Sequence, residues 1–368
     1  MKNIYKLLTI FVLFEIAGLL LLKSVSARTI IFQTNFDHCD NWSITQGPSD
    51  ISNIYPSYIY GKNNFPSDHP ASSSGPKYIG WFDSKTYLRK NLHNTVTLSS
   101  RNCRSGKCIT HYSEVPLISS GGEASGGELY ISLTDPPGQD DTGYEEIWIT
   151  VWRKFQPNYY TNQNMQKFIR VSHFNANSPY GLTSWHPKGD PDSHAPFVIG
   201  GFNGANGLDN YGYKLRYGYF AINLYPYANR SDYKWSPSDL NCGLYHSAAG
   251  SKVIYTWTRL RSGTQHGGWQ QPGNYGDGNY HIHEYHFKMN SSPGLPDGVL
   301  EYYIDGICQV SLLNIPYIKS GLKMLKWNLV ALGGNNDFYD PNGEYECYYA
   351  YDDVVISDYR IGKDYKIP

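Results

Sequence analysis

From residue 28 onward the chain shows no convincing helical periodicity. Short runs of alternating apolar and polar residues follow one another instead, cut by clusters of Gly, Pro, Asn and Ser. Such a chain can bury its apolar residues only by pairing strands into sheets and facing one sheet against another. Candidate strands cover residues 29–35, 78–81, 128–133, 146–155, 166–173, 213–224, 252–259, 280–289, 299–304, 325–332 and 348–357. About a dozen strands in roughly 340 residues fit an all-β, antiparallel two-sheet jelly-roll sandwich, which can exceed about 200 residues as one domain. Long polar segments at 46–76, 175–211 and 261–279 read as surface loops, and the glycine-rich run Gly200-Gly201-Phe202-Asn203-Gly204 reads as loop. With no internal repeat and no linker in view, residues 28–368 are expected to form one domain.

Composition excludes several function classes. Charged residues make up only 17%, the near-balance of 31 basic and 32 acidic residues denies a nucleic-acid binder its electrostatic footprint, and 34 tyrosines are too many for a disordered chain. Lys2 and Lys6 precede an apolar stretch over 7–22, and Val25-Ser26-Ala27 supplies small residues for cleavage. Residues 1–27 therefore read as a secretory signal peptide, although Glu15 interrupts the apolar region. Its removal deletes three Lys and one Glu, leaving 28 basic against 31 acidic residues and a net charge of −3. A secreted protein with no membrane partner after cleavage is expected, and an acidic ligand would have to be met by a local cluster.

Six cysteines are an even number, which suits oxidative pairing outside the cell. Cys103 and Cys108 bracket the short polar loop Arg104-Ser105-Gly106-Lys107 and are the expected disulfide. A metal knuckle there lacks a second close Cys or His pair. Cys39, Cys242, Cys308 and Cys347 leave three pairings open, with Cys39–Cys347 attractive if the first and last strands are neighbours. Asn41, Asn229 and Asn290 stand in sequons that would accept glycans in a eukaryotic host.

Alternation assigns faces. Along 280–289, Tyr280, Ile282, Glu284, His286 and Lys288 share one face, and His281, His283, Tyr285, Phe287 and Met289 share the other. Along 217–225, Phe220, Ile222 and Leu224 look like core, which leaves Tyr217, Tyr219, Asn223 and Tyr225 as a polar aromatic face. Ile169 and Val171 look like core and turn Arg170 to the opposite side, although Phe168 and Phe174 share its parity. Tyr and Trp on a sheet face can stack on the C–H faces of sugars while their polar atoms hydrogen-bond, so a polysaccharide partner is expected. For any one of these tyrosines, core filling is the simpler reading; the combined face carries the expectation.

The run YHIHEYHFKMNSSPGLPDGVLEYYIDG resembles the late hairpin of secreted concanavalin-A-like jelly rolls, most of all the polysaccharide-lyase branch with heparin-lyase-like and glucuronan-lyase-like members. Tyr280 stands where that branch opens with Trp, His281 follows, His286 and Lys288 take the outward positions, and Asp305-Gly306 closes the second strand. IIFQTNFDHCDNW and GGNNDFYDPNGEYECYYAYDDVVIS resemble its first and last strands. The resemblance implies a jelly roll and β-elimination on an acidic glycan, with no cofactor required. Lectin-like and hydrolytic members share the hairpin, so activity follows less closely than fold.

Elimination at a uronate removes the proton beside a carboxylate, so the carboxylate must be neutralised, a base must take the proton, and an acid must meet the leaving oxygen. Arg170 and Asn223 are candidate neutralisers, His286 or His173 a candidate base, and Tyr219 base or acid. Lys288, Glu284, Tyr217 and Tyr225 are candidate substrate-binding residues, and Arg, His and Tyr are expected to converge in one groove. Hydrolysis would need two facing carboxylates. Adjacent Glu145 and Glu146 would point to opposite faces of a strand, and no E-x-D-x-x-E pattern is present. A non-catalytic carbohydrate-binding surface protein is the alternative from another class, and a monomer is expected in either case. Asp37 and Asp353, with Asp352, resemble the terminal clamp that jelly rolls use for structural calcium (Ca2+). His281-x-His283 has no nearby metal ligands, and no G-x-S-x-G elbow, Walker loop or H-E-x-x-H motif occurs.

Overall fold

The computed structural model describes residues 28–37, 78–84, 96–114, 125–133, 143–157, 165–173, 197–204, 215–223, 244–249, 253–258, 278–318, 320–336 and 346–368. Their regular structure is strand throughout, in two antiparallel sheets. The first sheet runs β14 (Ile307–Ile315), β13 (Gly298–Ile304), β12 (Tyr280–Lys288), β6 (Glu146–Phe155), β16 (Glu346–Ser357), β4 (Cys108–Glu114) and β3 (Val96–Ser99). Strand β1 (Ile30–Thr34) also pairs with β16. The second runs β10 (Leu244–Ala249), β11 (Val253–Thr258), β9 (Leu215–Asn223), β8 (Phe197–Gly204), β7 (Met165–Ser172), β15 (Leu329–Asn336), β5 (Ser125–Ser132) and β2 (Tyr78–Ser84).

Pleating and register decide which residues meet between the sheets. In the second sheet, Val198, Val171, Val330 and Ile131 form one row across β8, β7, β15 and β5, and all four are buried. In the first, Ile149, Tyr285 and Tyr302 form a row across β6, β12 and β13 and are buried too. Residues of both rows belong to one apolar cluster, so the sheets share a core and each keeps an outer face. The core is not wholly apolar. Arg153 is 1% exposed, donates from Nη1 to the Tyr285 hydroxyl (2.8 Å), and lies over the Phe168 ring (4.9 Å). Contacts of this kind stabilise a desolvated guanidinium.

Five strands were not expected from sequence: β3, β4, β8, β10 and β14. The clearest correction concerns Gly200–Gly204, which is no loop but the larger part of β8, a strand paired on both sides inside the second sheet. Glycines weaken the apolar signal of a strand without removing its hydrogen bonds. Asp305-Gly306 forms the tight turn between β13 and β14, with φ of 50° and 79°. Positive φ at both centres is what a two-residue hairpin demands, and Gly pays no steric penalty for it.

Cys103 and Cys108 are bonded to each other, and Cys308 is also disulfide-bonded. Strand β1 neighbours β16, the condition set for Cys39–Cys347, but Cys39 lies outside the described residues, as do residues 1–27, Asn41 and Asn229. No helix among the described residues is long and apolar enough to cross a membrane.

The Asn290 sequon has a structural explanation instead. Its side chain is fully buried; Nδ2 donates to the carbonyls of Ser292 (2.5 Å) and Ile318 (3.2 Å), and Oδ1 accepts the Ile318 N–H (3.0 Å). In the folded chain that amide is occupied. Asn290→Ala would strand a buried N–H and is expected to cost about 1–3 kcal/mol, read as a lower urea midpoint at unchanged slope.

Candidate functional site

The candidate residues fall on two different surfaces. Strand β12 belongs to the first sheet, and its alternation sends Glu284, His286 and Lys288 to that sheet's outer face. Strands β7 and β9 belong to the second sheet, where Arg170 pairs with Ile199 and Ile199 with Ala221. That row alternates with the buried Val171–Val198 row, so Arg170 stands on the second sheet's outer face. The shared core separates the two groups. The structure therefore does not bring His286, Lys288 and Glu284 into one groove with Arg170, Asn223 and Tyr219, because sheet membership decides convergence and alternation within a strand cannot reveal it.

On the first sheet's outer face the side chains are engaged with one another. The His286 ring stacks on Trp148 with centroids 4.0 Å apart. Its Nδ1 is 2.8 Å from Glu301 Oε2 and its Nε2 is 2.8 Å from Glu146 Oε1, so both ring nitrogens have carboxylate partners. Burial pulls the imidazole pKa down, but the hydrogen bonds and charges of Glu146 and Glu301 outweigh it and leave it raised. Hydrogen bonding to His286 holds both glutamates below their ordinary range. A base must have a nitrogen that can face the substrate, and both nitrogens of this imidazole are taken up by carboxylates, so the ring bridges β6, β12 and β13. Glu284 is 1% exposed and takes the Arg360 fork, with Nε donating to Oε1 (3.0 Å) and Nη2 to Oε2 (2.7 Å). Lys288 is exposed, with Nζ 3.8 Å from Glu146 Oε2. Glu301 and Arg360 were not singled out in the sequence, because their roles come from cross-strand register and from the tail after β16.

The second sheet's outer face presents a different chemistry. Arg170 is only 6% exposed although it faces away from the core. Tyr219 lies opposite Gly201 on β8, and Asn223 opposite Phe197, so both positions share the Arg170 face, two residues to either side of its row. Ala331 and Gly201 add little or no side chain between these residues. Tyr255 on β11 and Tyr130 on β5 stand in the Arg170 row, and strand alternation alone could have nominated them. Tyr217 falls where the β8–β9 register shifts, and Tyr225 lies outside the described residues. His173 follows β7, is buried, and places Nδ1 2.8 Å from the Lys326 carbonyl.

The carboxylates expected to clamp a calcium ion have partners within the protein. Asp37 Oδ1 accepts the Lys107 N–H (2.7 Å), and Asp352 Oδ2 accepts those of Arg104 (3.1 Å) and Ser105 (3.3 Å). Asp353 pairs with the Arg104 guanidinium, which also lies over Trp152. Burial and the charge of Asp353 push the Asp352 carboxyl up to about 7. The disulfide-closed loop thus meets all three carboxylates, and among the described residues no group of three or more His, Cys, Asp or Glu is arranged to hold a metal ion.

No protein-family model matches the chain, and no curated protein matches it significantly. Among solved structures, it is similar to an endo-β-1,4-glucuronan lyase from Trichoderma reesei, at 12% identity and TM-score 0.42, covering 74% of this chain and 90% of that one. An alginate lyase from Aplysia kurodai gives 10% identity and TM-score 0.41, covering 71% and 86%. A laminarinase catalytic domain from Thermotoga petrophila gives 11% and 0.40, covering 90% and 98%.

Two measurements probe these arrangements. The His286 contribution is fully present below its ordinary pKa of 6.5 and is lost as pH rises through the raised folded value. The Glu146 and Glu301 contributions are present above 4.5 and are lost as pH falls through their lowered values. The stability lost in His286→Ala is therefore expected to peak between those two ordinary values and to shrink towards alkaline pH, in denaturant titrations across pH. At the Arg104 loop, calcium or a chelator is expected to leave Tm unchanged, whereas Arg104→Ala lowers it; a calcium-induced rise would mean that the carboxylates exchange the loop for the cation.

Proposed function

We propose that the protein is a secreted polysaccharide lyase that cleaves a uronate-containing glycan by β-elimination on the outer face of its second sheet. The observation that carries this reading is the placement of Arg170, nearly fully buried, with Tyr219 and Asn223 beside its row on one face. A guanidinium shielded from water interacts with an anion more strongly than one in bulk solvent, and its planar fork matches a carboxylate. Neutralising the uronate carboxylate lowers the cost of removing the adjacent C5 proton. Asn223 would add a neutral donor to the same carboxylate.

Tyr219 would serve as base. Its phenolate takes the C5 proton, the C–H electron pair forms the C4=C5 double bond, and the C4–O bond breaks towards the leaving sugar. The leaving oxygen then takes a proton, which the newly formed Tyr219 phenol can return if both events occur on one face of the sugar.

Purified mature protein incubated with alginate, glucuronan, heparin and polygalacturonate is expected to raise ultraviolet absorbance through the unsaturated uronate that only elimination creates. Arg170→Ala and Tyr219→Phe are each expected to lower kcat at least about a hundredfold. Glycan binding without absorbance change across the panel would replace this reading with the non-catalytic binding module.

A further inference from the structure

We infer that Cys308 is bonded to Cys242, and that this disulfide ties the edge strand of the first sheet to the edge hairpin of the second. The inference goes beyond the lyase reading and does not rest on it. Cys308 stands near the start of β14, the outermost strand of the first sheet, and is disulfide-bonded. Cys103 and Cys108 are taken up by each other, so its partner is Cys39, Cys242 or Cys347. A disulfide requires Cα atoms within about 7 Å of one another. The sheet itself excludes two of the three.

Cys308 lies in a row that runs through Tyr303, Glu284 and Thr150 to Val355 of β16, four strand steps or roughly 19 Å away. Cys347 is on that same β16 but eight residues before Val355, roughly a further 25 Å along the strand. Cys39 follows Asp37 by two residues, a reach of about 7 Å. Asp37 is held 2.7 Å from the Lys107 N–H, directly before β4, which is five strand steps or roughly 24 Å from β14. Neither can meet Cys308. Cys242 lies outside the described residues, but β10 begins two residues after it, with Leu244 opposite Thr258 of β11. Strand β11 in turn comes within 8 Å of β14 between Cα atoms. The edge of the second sheet that Cys242 leads into thus lies beside the edge of the first that carries Cys308.

As the S–S bond forms, two thiols give up two protons and two electrons to a disulfide oxidant, which is reduced to a dithiol. That chemistry needs an oxidising compartment. The clamp also steadies β9, which pairs with β11 at Ile222 and Ala221, between the Tyr219 and Asn223 positions. The three pairings open in the sequence then reduce to one, with Cys39 left to Cys347.

Tryptic mapping without reduction is the test, because the four cysteines fall in four different peptides, 29–62, 235–252, 289–319 and 327–360. Purified mature protein from a secretory host, alkylated before digestion, is expected to yield 235–252 linked to 289–319, the two separating on reduction. Cys242→Ser and Cys308→Ser are each expected to release one thiol relative to wild type, and the double variant none. Both single variants and the double variant are expected to lower Tm alike, by roughly 5–10 °C. Peptide 289–319 linked to 29–62 or 327–360, an alkylated Cys308 in the unreduced wild type, or additive Tm losses would overturn the inference.

Discussion

Phe168 wedged between the two sheets is the contact on which the candidate site depends. Its ring meets Phe155 and Tyr349 of the first sheet edge-on, and the buried Arg153 guanidinium lies over it while Nη2 donates to the Phe168 carbonyl (3.4 Å). Burying a phenylalanine side chain is worth about 1.5–3 kcal/mol. That gain offsets the ladder bond disturbed by an extra residue in β7. Once Phe168 and Ile169 both point inward, the strand has no choice about Arg170, which must leave the core side. Core packing on one side of the sheet and charge on the other are thus one constraint seen from two directions.

The first sheet uses charge differently. His286, Glu146 and Glu301 hold three adjacent strands together, and Arg360 brings the tail after β16 onto the buried Glu284. Near the strand ends, the Cys103–Cys108 loop joins Asp37 just after β1 to Asp352 and Asp353 within β16. These groups satisfy each other. On the second sheet's outer face, Gly201 and Ala331 stand between the polar positions instead.

Much of the fold was legible because strand alternation is a local property. Segment 146–155 agrees with β6 to the residue, and 280–289 with β12 to within one. Strand β8 was missed because Gly200 and Gly201 erase its alternation, and β14 because ICQVSLLNI carries no clear period. The candidate site was legible in part: the positions of Arg170, Tyr219 and Asn223 fall on one face by register, whereas the bulge at Phe168 is one that no spacing rule announces.

The sequence by itself determined that this chain makes antiparallel sheets, that Cys103 meets Cys108, and which side of β12 faces outward, because each follows from residues near one another along the chain. Only the tertiary structure decided that β12 and β7 lie in different sheets, that His286 is a bridge between carboxylates, and that the Asp37 and Asp353 carboxylates meet the Arg104 loop. The physical reason is the same in each case. A side chain's neighbours across a sheet come from strands distant in sequence, and their order is set by how the whole chain buries its apolar faces.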